Sequence, residues 1–510
     1  MGSVRWLVAG SVLWLIVLAA ACGDGGGDTI IIINAGGAGG AANGGGENSG
    51  GEASGGAASG GAASGGAASG GAASGGAASG GAASGGNASG GNPAGGSGGG
   101  PVNVDCTGAP PTRLHGVVRD PSGTLPLFNV AVYVPSGPLT ALTDGATGCA
   151  RCANWNVPAS ALTMTSTTGE FTLEGVPAGN VPLVIETGKW RREVTVPNVT
   201  ACDDNEVDAG LTRLPRNKTE GHIPKIAVVR GGSDSLECLV HALGIDNDEF
   251  TTDAAAGRVH LYYSSEGSAT AETGQLVGGV ALPASTALYS NLDKMKGYDL
   301  VMLGCSGSDA EVEDRPPAQV ANMRDYAAAG GRLLGSHFHV MLIDPDQYGI
   351  PYPTIVSFAS GQHGSAGSTV GVVNATFLRG AAFNSWLDVV GASSPSGQFQ
   401  LQMPEHNVNS VTHSNARAWV TTNDDAGHTN VPEYFSFPTP IDGPVCGRMA
   451  FTSLHVGNGS TDSGKVAFPN GCSTTAATMT AQQKAFAFWF FDLTGCVEAQ
   501  EGSITAPTAP

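Results

Sequence analysis

The chain has 510 residues, and its 23 lysine and arginine residues stand against 43 aspartate and glutamate residues, for a formal net charge of -20. A protein this acidic has no general electrostatic attraction for nucleic acid or anionic lipid headgroups, so we expect no nucleic-acid partner. Glycine contributes 79 residues and charged residues only 13 %, which indicates that part of the chain is not an ordinary folded domain.

Residues 1–21 have the pattern of a signal peptide. A lone Arg5 precedes an apolar stretch that ends at Leu18, and three alanines then lead to Cys22. The apolar stretch is shorter than the ~20 residues of a membrane-spanning helix. The segment resembles the lipobox of bacterial lipoproteins, which implies that Cys22 is acylated and anchors the chain to the outer membrane or cell surface. Plain secretion after cleavage at Ala21 is the alternative.

Residues 22–105 form a low-complexity segment in which Ala-Ser-Gly-Gly units recur. It contains neither an aromatic nor a basic residue, so it cannot bury enough apolar surface to offset the entropy of ordering the chain. We expect a disordered tether with an end-to-end distance of about 50 Å. The membrane, reached through the lipid anchor, is therefore an expected partner.

Residues 106–215 contain short alternating strands separated by turns, which predicts a small all-β sandwich. The segment resembles the carboxypeptidase regulatory-like domain, a transthyretin-like sandwich. The resemblance is carried by an opening Gly-x-Val, an Asp-Pro-x-Gly turn and a Thr-x-Gly-x-Phe-x-Leu run, which comprise Gly116, Val118, Asp120, Pro121, Gly123, Thr167, Gly169, Phe171 and Leu173. It implies an accessory module for spacing or binding, without catalysis.

Residues 216–500 switch to alternating strands and helices, which predicts a flavodoxin-like open parallel sheet covered on both faces. We expect strands at 226–229, 298–303, 332–335 and 448–452. Two helices have capping-box spacings at their N-termini, Asp234 with Glu237 and Thr480 with Gln483. Residues 501–510 are expected to be a disordered tail. The predicted fold class is thus multidomain: tether, β-sandwich and α/β domain.

The α/β segment resembles the class I glutamine-amidotransferase-like fold, in particular its trehalose-utilisation-type branch. The resemblance is carried by residues 297–301, 326–337 and 447–455. Amidotransferases place a cysteine nucleophile in Gly-x-Cys-x-Gly, but Leu303 replaces the first glycine before Cys305, and the later His-x-Glu pair is missing. We therefore do not expect glutaminase activity.

Histidines follow two of the predicted strands. In open α/β sheets ligands bind beyond the carboxyl ends of the strands, where His337, His339 and His455 stand. His337 and His339, at strand spacing, are candidate ligands of a divalent metal, with His455, Asp344 or Asp346 as the third. The favoured interpretation is a polar cleft without a cofactor.

The nine cysteines other than Cys22 are expected to form disulfides, because an exported chain meets an oxidising compartment. The odd number predicts a free thiol, which we assign to Cys496. The predicted pairs are Cys238–Cys305 and Cys446–Cys472. For the motif Cys149-x-x-Cys152 we favour a structural disulfide role over a redox pair or half of a zinc site.

Two functions follow from these patterns. The favoured one is a surface-tethered, non-catalytic protein that binds a glycan or a protein partner. The alternative is a secreted hydrolase or carbohydrate-modifying enzyme with a histidine-lined cleft, in which His337 and His455 are the candidate catalytic residues.

Overall fold

The computed structural model describes residues 100–264, 276–305, 315–359, 367–456 and 466–509. The signal peptide, Cys22 and nearly all of the tether lie outside the described residues, so the expectations for them stay predictions. No helix in the described ranges is both long enough and apolar enough to cross a membrane.

The first part of the described chain forms two facing β-sheets. Three strands have the order β4-β1-β7 and four have the order β3-β2-β5-β6. Along β4 buried and exposed residues alternate, and Phe171 and Leu173 point inward. The strands are β1 Arg113–Val117, β2 Ala131–Pro135, β3 Ala159–Met164, β4 Glu170–Glu174, β5 Gly179–Thr187, β6 Trp190–Val199 and β7 Asp204–Glu206.

The second part is built on a sheet of ten strands in the order β17-β16-β19-β20-β21-β14-β13-β8-β10-β9. The remaining strands pair as β11-β12 and β15-β18. The strands are β8 Ile226–Arg230, β9 Phe250–Thr251, β10 Val259–Tyr263, β11 Leu276–Val277, β12 Val280–Ala281, β13 Leu300–Leu303, β14 Arg332–Ser336, β15 Val356–Phe358, β16 Ser368–Val373, β17 Gln398–Gln402, β18 Val408–Val411, β19 Arg417–Thr422, β20 Val431–Thr439 and β21 Gly447–Thr452.

The large sheet is only partly parallel, which corrects the expectation of an open parallel sheet. From β9 to β21 neighbouring strands run parallel, whereas β20, β19, β16 and β17 add antiparallel pairs. The reason is visible at the connection from β19 to β20, where residues 423–430 are too few for the crossover that parallel neighbours need.

The helices are α1 Leu236–Ala242, α2 Thr286–Tyr289, α3 Leu292–Lys296, α4 Pro317–Ala328, α5 Leu378–Val389 and α6 Ala481–Thr494. The capping box predicted for the last helix is confirmed, because Thr480 and Gln483 exchange hydrogen bonds at its N-terminus. The box predicted at Asp234 and Glu237 is wrong. Asp234 Oδ1 instead accepts from the backbone of Val456 at 2.9 Å, and Glu237 forms a buried ion pair with Arg230.

The sandwich and the α/β part share one apolar core. Phe128 stacks on Phe488, Trp190 packs against Phe490, and the indole nitrogen of Trp386 donates to the carbonyl of Pro126 at 2.7 Å. Helix α6 is buried nearly all round, which is typical of a helix covered on several sides. Consequently the described residues from 100 onward belong to one compact unit, and position 215/216 is not a boundary in packing.

The disulfide pairing differs from the prediction. Cys149 and Cys152 do serve in structural disulfides, but each is bonded to a cysteine far along the chain. The predicted pairs 238–305 and 446–472 are wrong, and so is the assignment of Cys496 as a thiol. Cys305 belongs to none of the four pairs below and is not an unpaired thiol. The pairs are Cys106–Cys202, Cys149–Cys446, Cys152–Cys496 and Cys238–Cys472.

The C-terminal segment is ordered as far as residue 509, so the expected disordered tail is wrong. Glu501 is 3 % exposed and forms an ion pair with Arg448. Arg379 donates to the carbonyl of Ser503, and the backbone of Thr508 bonds to that of Trp155. The tail thus contacts both the sandwich and the α/β part.

Candidate functional site

The candidate site lies at the carboxyl ends of β13, β14 and β21, which are adjacent in the sheet. Cys305 follows β13, His337 directly follows β14, and His455 follows β21. The Sγ atom of Cys305 is 3.5 Å from Nδ1 of His337, and the rings of His337 and His455 are 5.3 Å apart. The structure thus brings together both histidines that the sequence suggested as catalytic candidates.

His337 has a strained backbone. Its φ angle is 47°, and it stands where β14 turns into a 3₁₀ helix that spans His337–Ile343. A side-chain-bearing residue held in this left-handed region costs about 1–3 kcal/mol and tends to occur at functional sites. A tight strand-to-helix turn therefore lies at His337.

Two glutamates that the sequence analysis missed lie near the site, Glu405 beside His337 and Glu433 within electrostatic range of Glu405. Oε2 of Glu405 is 3.9 Å from Nε2 of His337, and Glu433 on β20 is only 1 % exposed. Ser453 fixes both backbones, because Glu405 N–H donates to its carbonyl and its own N–H donates to the carbonyl of Glu433. We call His337, His455, Glu405 and Glu433 the histidine–glutamate cluster.

Burial shifts the pKa of every member of this cluster. It raises the pKa of Glu405 to about 7 and, with the negative charges of Glu405 and Asp424, raises the pKa of Glu433 well above its usual range. Burial lowers the pKa of His455 to about 4, and burial together with the neighbouring histidines lowers that of His337. These shifts favour the neutral forms of both histidines and the protonated form of Glu433.

Several polar atoms in and beside the cluster lack a partner. Nε2 of His455 and Oε2 of Glu433 are buried and make no hydrogen bond with any described residue. The same holds for both amide atoms of Asn407, two positions along the chain from Glu405. Because nearly all buried polar groups in native proteins are hydrogen-bonded, such atoms indicate a place for a ligand or for water.

The predicted metal pair is not formed as expected. His339 lies on the 3₁₀ helix instead of a strand, and its Nδ1 donates to the carbonyl of Ser336 at 3.1 Å. Asp344, proposed with Asp346 as a further ligand, instead accepts from the backbone of Asp346 in a turn. The ligand atoms that do converge, within 4.8 Å, belong to Cys305, His337 and His455.

These three residues do not fit a zinc ion. Catalytic zinc is held by three protein ligands, and a cysteine binds it as a thiolate. Since Cys305 is not an unpaired thiol, only the imidazoles of His337 and His455 remain as donors. The cluster is therefore better suited to hydrogen bonding and proton transfer than to holding a metal.

The larger surface grooves of the described ranges lie elsewhere. One of about 410 Å³ is lined by residues of both parts, including Arg119, Glu170 and Lys484, and one of about 350 Å³ includes Arg324 and Tyr352. Residues 306–314 and 457–465, which follow Cys305 and His455 in the sequence, are outside the described residues. The candidate site is thus defined by the side chains of the cluster and not by a groove.

Neither a protein-family model nor a curated protein matches this chain. The family resemblances proposed from the sequence consequently have no support from those two comparisons.

Solved structures match the chain only distantly. A ThuA-like protein from Bacteroides uniformis has 11 % identity and a TM-score of 0.21, covering 34 % of this chain and 68 % of its own. A cytoplasmic protein of Salmonella typhimurium has 14 % identity and a TM-score of 0.28, covering 53 % and 98 %. PurLQS from Thermotoga maritima has 9 % identity and a TM-score of 0.26, covering 52 % and 99 %. With TM-scores this low, none of these likenesses carries an argument.

Proposed function

We propose that the chain is an exported protein, tethered to the cell envelope through Cys22, that binds an uncharged polar ligand of the glycan class at the histidine–glutamate cluster. The observation that carries this proposal is that two buried atoms, His455 Nε2 and Glu433 Oε2, find no hydrogen-bond partner among the described residues. A buried polar atom left unsatisfied costs about 1–3 kcal/mol. A sugar hydroxyl both donates and accepts, so it can satisfy either atom.

The charge state of the cluster favours an uncharged ligand. Burial lowers the pKa values of His337 and His455 and raises that of Glu433, which favours the uncharged form of each side chain. No lysine or arginine of the described chain forms a salt bridge with Glu405 or Glu433. A phosphate or carboxylate ligand would therefore enter a buried site without a counter-charge. The desolvation of its charge would then cost more free energy than its contacts with the site contribute.

Acid–base catalysis on the bound ligand is a second candidate function. It is favoured by one observation, the strained His337 with its Nε2 at 3.9 Å from a carboxyl oxygen of Glu405. A carboxyl group whose pKa is about 7 can either accept or deliver a proton at neutral pH. This pair would serve a hydrolase or a carbohydrate-modifying enzyme.

Binding is tested with the mature full-length chain against a panel of neutral, acidic and basic oligosaccharides, by isothermal titration calorimetry. We expect neutral members to bind and His455→Ala to weaken their binding about tenfold or more, because the imidazole that meets the ligand is lost. The matched control is His413→Ala, since His413 pairs with Asp442 outside the cluster. Binding that is equal in the two variants, or confined to charged sugars, would overturn the proposal.

Catalysis is tested separately on any oligosaccharide that binds. The variant Glu405→Gln preserves the shape of the side chain but cannot transfer a proton. Product formation that disappears in this variant while binding persists would establish the catalytic role. Recovery of the ligand unchanged after long incubation with the wild-type chain would exclude it and leave binding as the function.

A further inference from the structure

A second group of side chains, distinct from the histidine–glutamate cluster, converges on one carboxylate oxygen. Oδ2 of Asp424 is 3.0 Å from Nδ1 of His406 and 2.6 Å from Nδ1 of His428. The two rings are 4.4 Å apart, and all three potential ligand atoms lie within 4.8 Å of one another. The side chains of His406 and Asp424 are 4 % and 5 % exposed, so the convergence is not a chance meeting of mobile surface groups.

The loop between β19 and β20 holds Asp424 in place. The N–H of His428 donates to Oδ1 of Asp424 at 2.8 Å, and the N–H of Asp424 donates back to the carbonyl of His428. Gly427, with a φ angle of 92°, supplies the left-handed turn that closes this loop. With Oδ1 engaged by the backbone, Oδ2 is the oxygen presented to both imidazoles.

Asn409 determines which atom faces Nε2 of His406. Asn409 Nδ2 donates to the carbonyl of Phe358 at 2.9 Å, which fixes the orientation of that amide. Oδ1 of Asn409 therefore faces Nε2 of His406 at 3.0 Å, and Nε2 must carry the hydrogen. Nδ1 of His406 faces Oδ2 of Asp424 at 3.0 Å, a position where either a proton or a metal ion joins the two atoms.

The surroundings add negative charge. Glu405 directly precedes His406 in the chain. No lysine or arginine in the described ranges forms a salt bridge with Asp424. The whole chain also carries a formal charge of -20. A divalent ion relieves this local excess of negative charge more completely than a proton does.

We propose that His406, Asp424 and His428 bind a divalent transition-metal ion, with zinc as the expected occupant. Imidazole nitrogen and carboxylate oxygen are donors that suit zinc, and three protein ligands leave a fourth position open for water or a ligand. The contact from His406 Nε2 to Asn409 is the outer hydrogen bond that metal-binding histidines usually make.

The geometry needs only a small adjustment to accept the ion. Zinc bonds of about 2.0–2.1 Å in tetrahedral geometry place neighbouring ligand atoms about 3.3 Å apart. The present separations of 3.0 and 2.6 Å are shorter than this by about 0.3 and 0.7 Å. His428, whose side chain is 51 % exposed, is free of packing that would prevent it from moving outward.

The test is zinc titration of the untagged, mature full-length chain by calorimetry after treatment with a chelator. We expect one zinc ion per chain, and we expect His428→Ala to weaken binding about tenfold or more because one of three ligands is lost. His413→Ala is the control, since His413 and Asp442 form a similar contact at 3.0 Å without a third ligand. Cobalt substitution supplies a second readout through the visible absorption of a tetrahedral site.

Three outcomes would overturn the proposal. The first is that the chain binds no zinc, and the second is that His428→Ala leaves zinc binding unchanged. The third is that zinc binding is lost in His455→Ala instead, which would assign the ion to the histidine–glutamate cluster. Circular dichroism and thermal melting check that the variants fold. Should His428→Ala fail to fold, the exposed His428 is replaced by glutamine, and Asn409→Ala is measured alongside. We expect that removing this outer hydrogen bond also weakens zinc binding, by about tenfold or more.

Discussion

At the scale of single residues, Glu433 illustrates how position decides chemistry. It lies on β20, is 1 % exposed, and is close enough to Glu405 and Asp424 for their charges to raise its pKa. Glu405 is less buried, and the pKa of its carboxyl group is raised only to about 7. Burial penalises the ionised form of both carboxyl groups, and the charges of Glu405 and Asp424 add to that penalty at Glu433.

We expect the variant Glu433→Gln to become more stable than the wild type as the pH rises. Because the folded-state pKa of Glu433 is raised above 4.5, the unfolded chain releases this proton before the folded chain does. Below pH 4.5 the wild type therefore keeps the full contribution of Glu433 to the free energy of unfolding. Above pH 4.5 the free energy of unfolding of the wild type falls by up to about 1.4 kcal/mol per pH unit until the folded-state pKa of Glu433 is reached. The glutamine variant has no such loss.

Thermal unfolding midpoints measured at pH 5, 6, 7 and 8 check this expectation. The control is Glu206→Gln, since Glu206 lies exposed on β7. A difference between Glu433→Gln and wild type that stays constant with pH would contradict a buried, protonated Glu433.

At the scale of elements, the segment Cys149–Cys152 joins three parts of the fold. Cys149 bonds to Cys446, which directly precedes β21, and Cys152 bonds to Cys496, which follows α6. A Cys-x-x-Cys spacing commonly marks a redox pair, but here two separate disulfides hold the sandwich loop against the α/β part. His455 lies beyond the opposite end of β21, the strand that Cys446 precedes.

Replacing Cys149 and Cys446 together by serine is expected to destabilise the protein by about 4 kcal/mol on the chain-entropy account. Cys152–Cys496 remains, so the loop that is released runs only from Cys149 to Cys152 and from Cys446 to Cys496, about 50 residues. The midpoint of denaturant unfolding measures the change.

The control for this experiment removes Cys106 and Cys202, whose bond has both ends in the sandwich segment. Both double variants should lower the unfolding midpoint, but only the first should allow protease to cleave between the sandwich and the α/β part. An unchanged midpoint in the Cys149/Cys446 variant would show that packing alone holds the two parts together.

At the scale of the whole molecule, four disulfides link the described residues, while the location at the cell envelope stays a prediction. Four disulfides within one chain are typical of proteins that fold in an oxidising compartment. The described residues from 100 onward form one compact unit, in which the sandwich packs against α6. We infer that the sandwich acts as a fixed support for the α/β part and not as a separate module at the end of a linker.

Membrane attachment is the prediction that belongs to this scale. We expect the wild-type chain to remain in the membrane fraction and Cys22→Ser to be released, because the lipid is attached through that cysteine. Fractionation followed by immunoblotting measures the distribution. Equal release of both proteins into the medium would indicate plain secretion after Ala21.

Features that depend on residues close together in the chain could be predicted from the sequence alone. The pattern of short strands and turns predicted a β-rich segment at 106–215, which includes β4, and side-chain capping predicted the start of α6 at Thr480 and Gln483. The proximity of His337 and His455 was also within reach, since the carboxyl ends of parallel strands meet at one edge of a sheet.

Contacts between distant loops could not be predicted in this way, because they depend on the tertiary structure. Glu405 follows β17, Glu433 lies on an antiparallel strand, and Asp424 sits in a hairpin loop, so their meeting depends on the order of strands in the sheet. The disulfide Cys152–Cys496 spans 344 residues and depends on how α6 packs against the sandwich. Local propensity carries no information about such pairs, because the free energy that forms them comes from burial of the shared core.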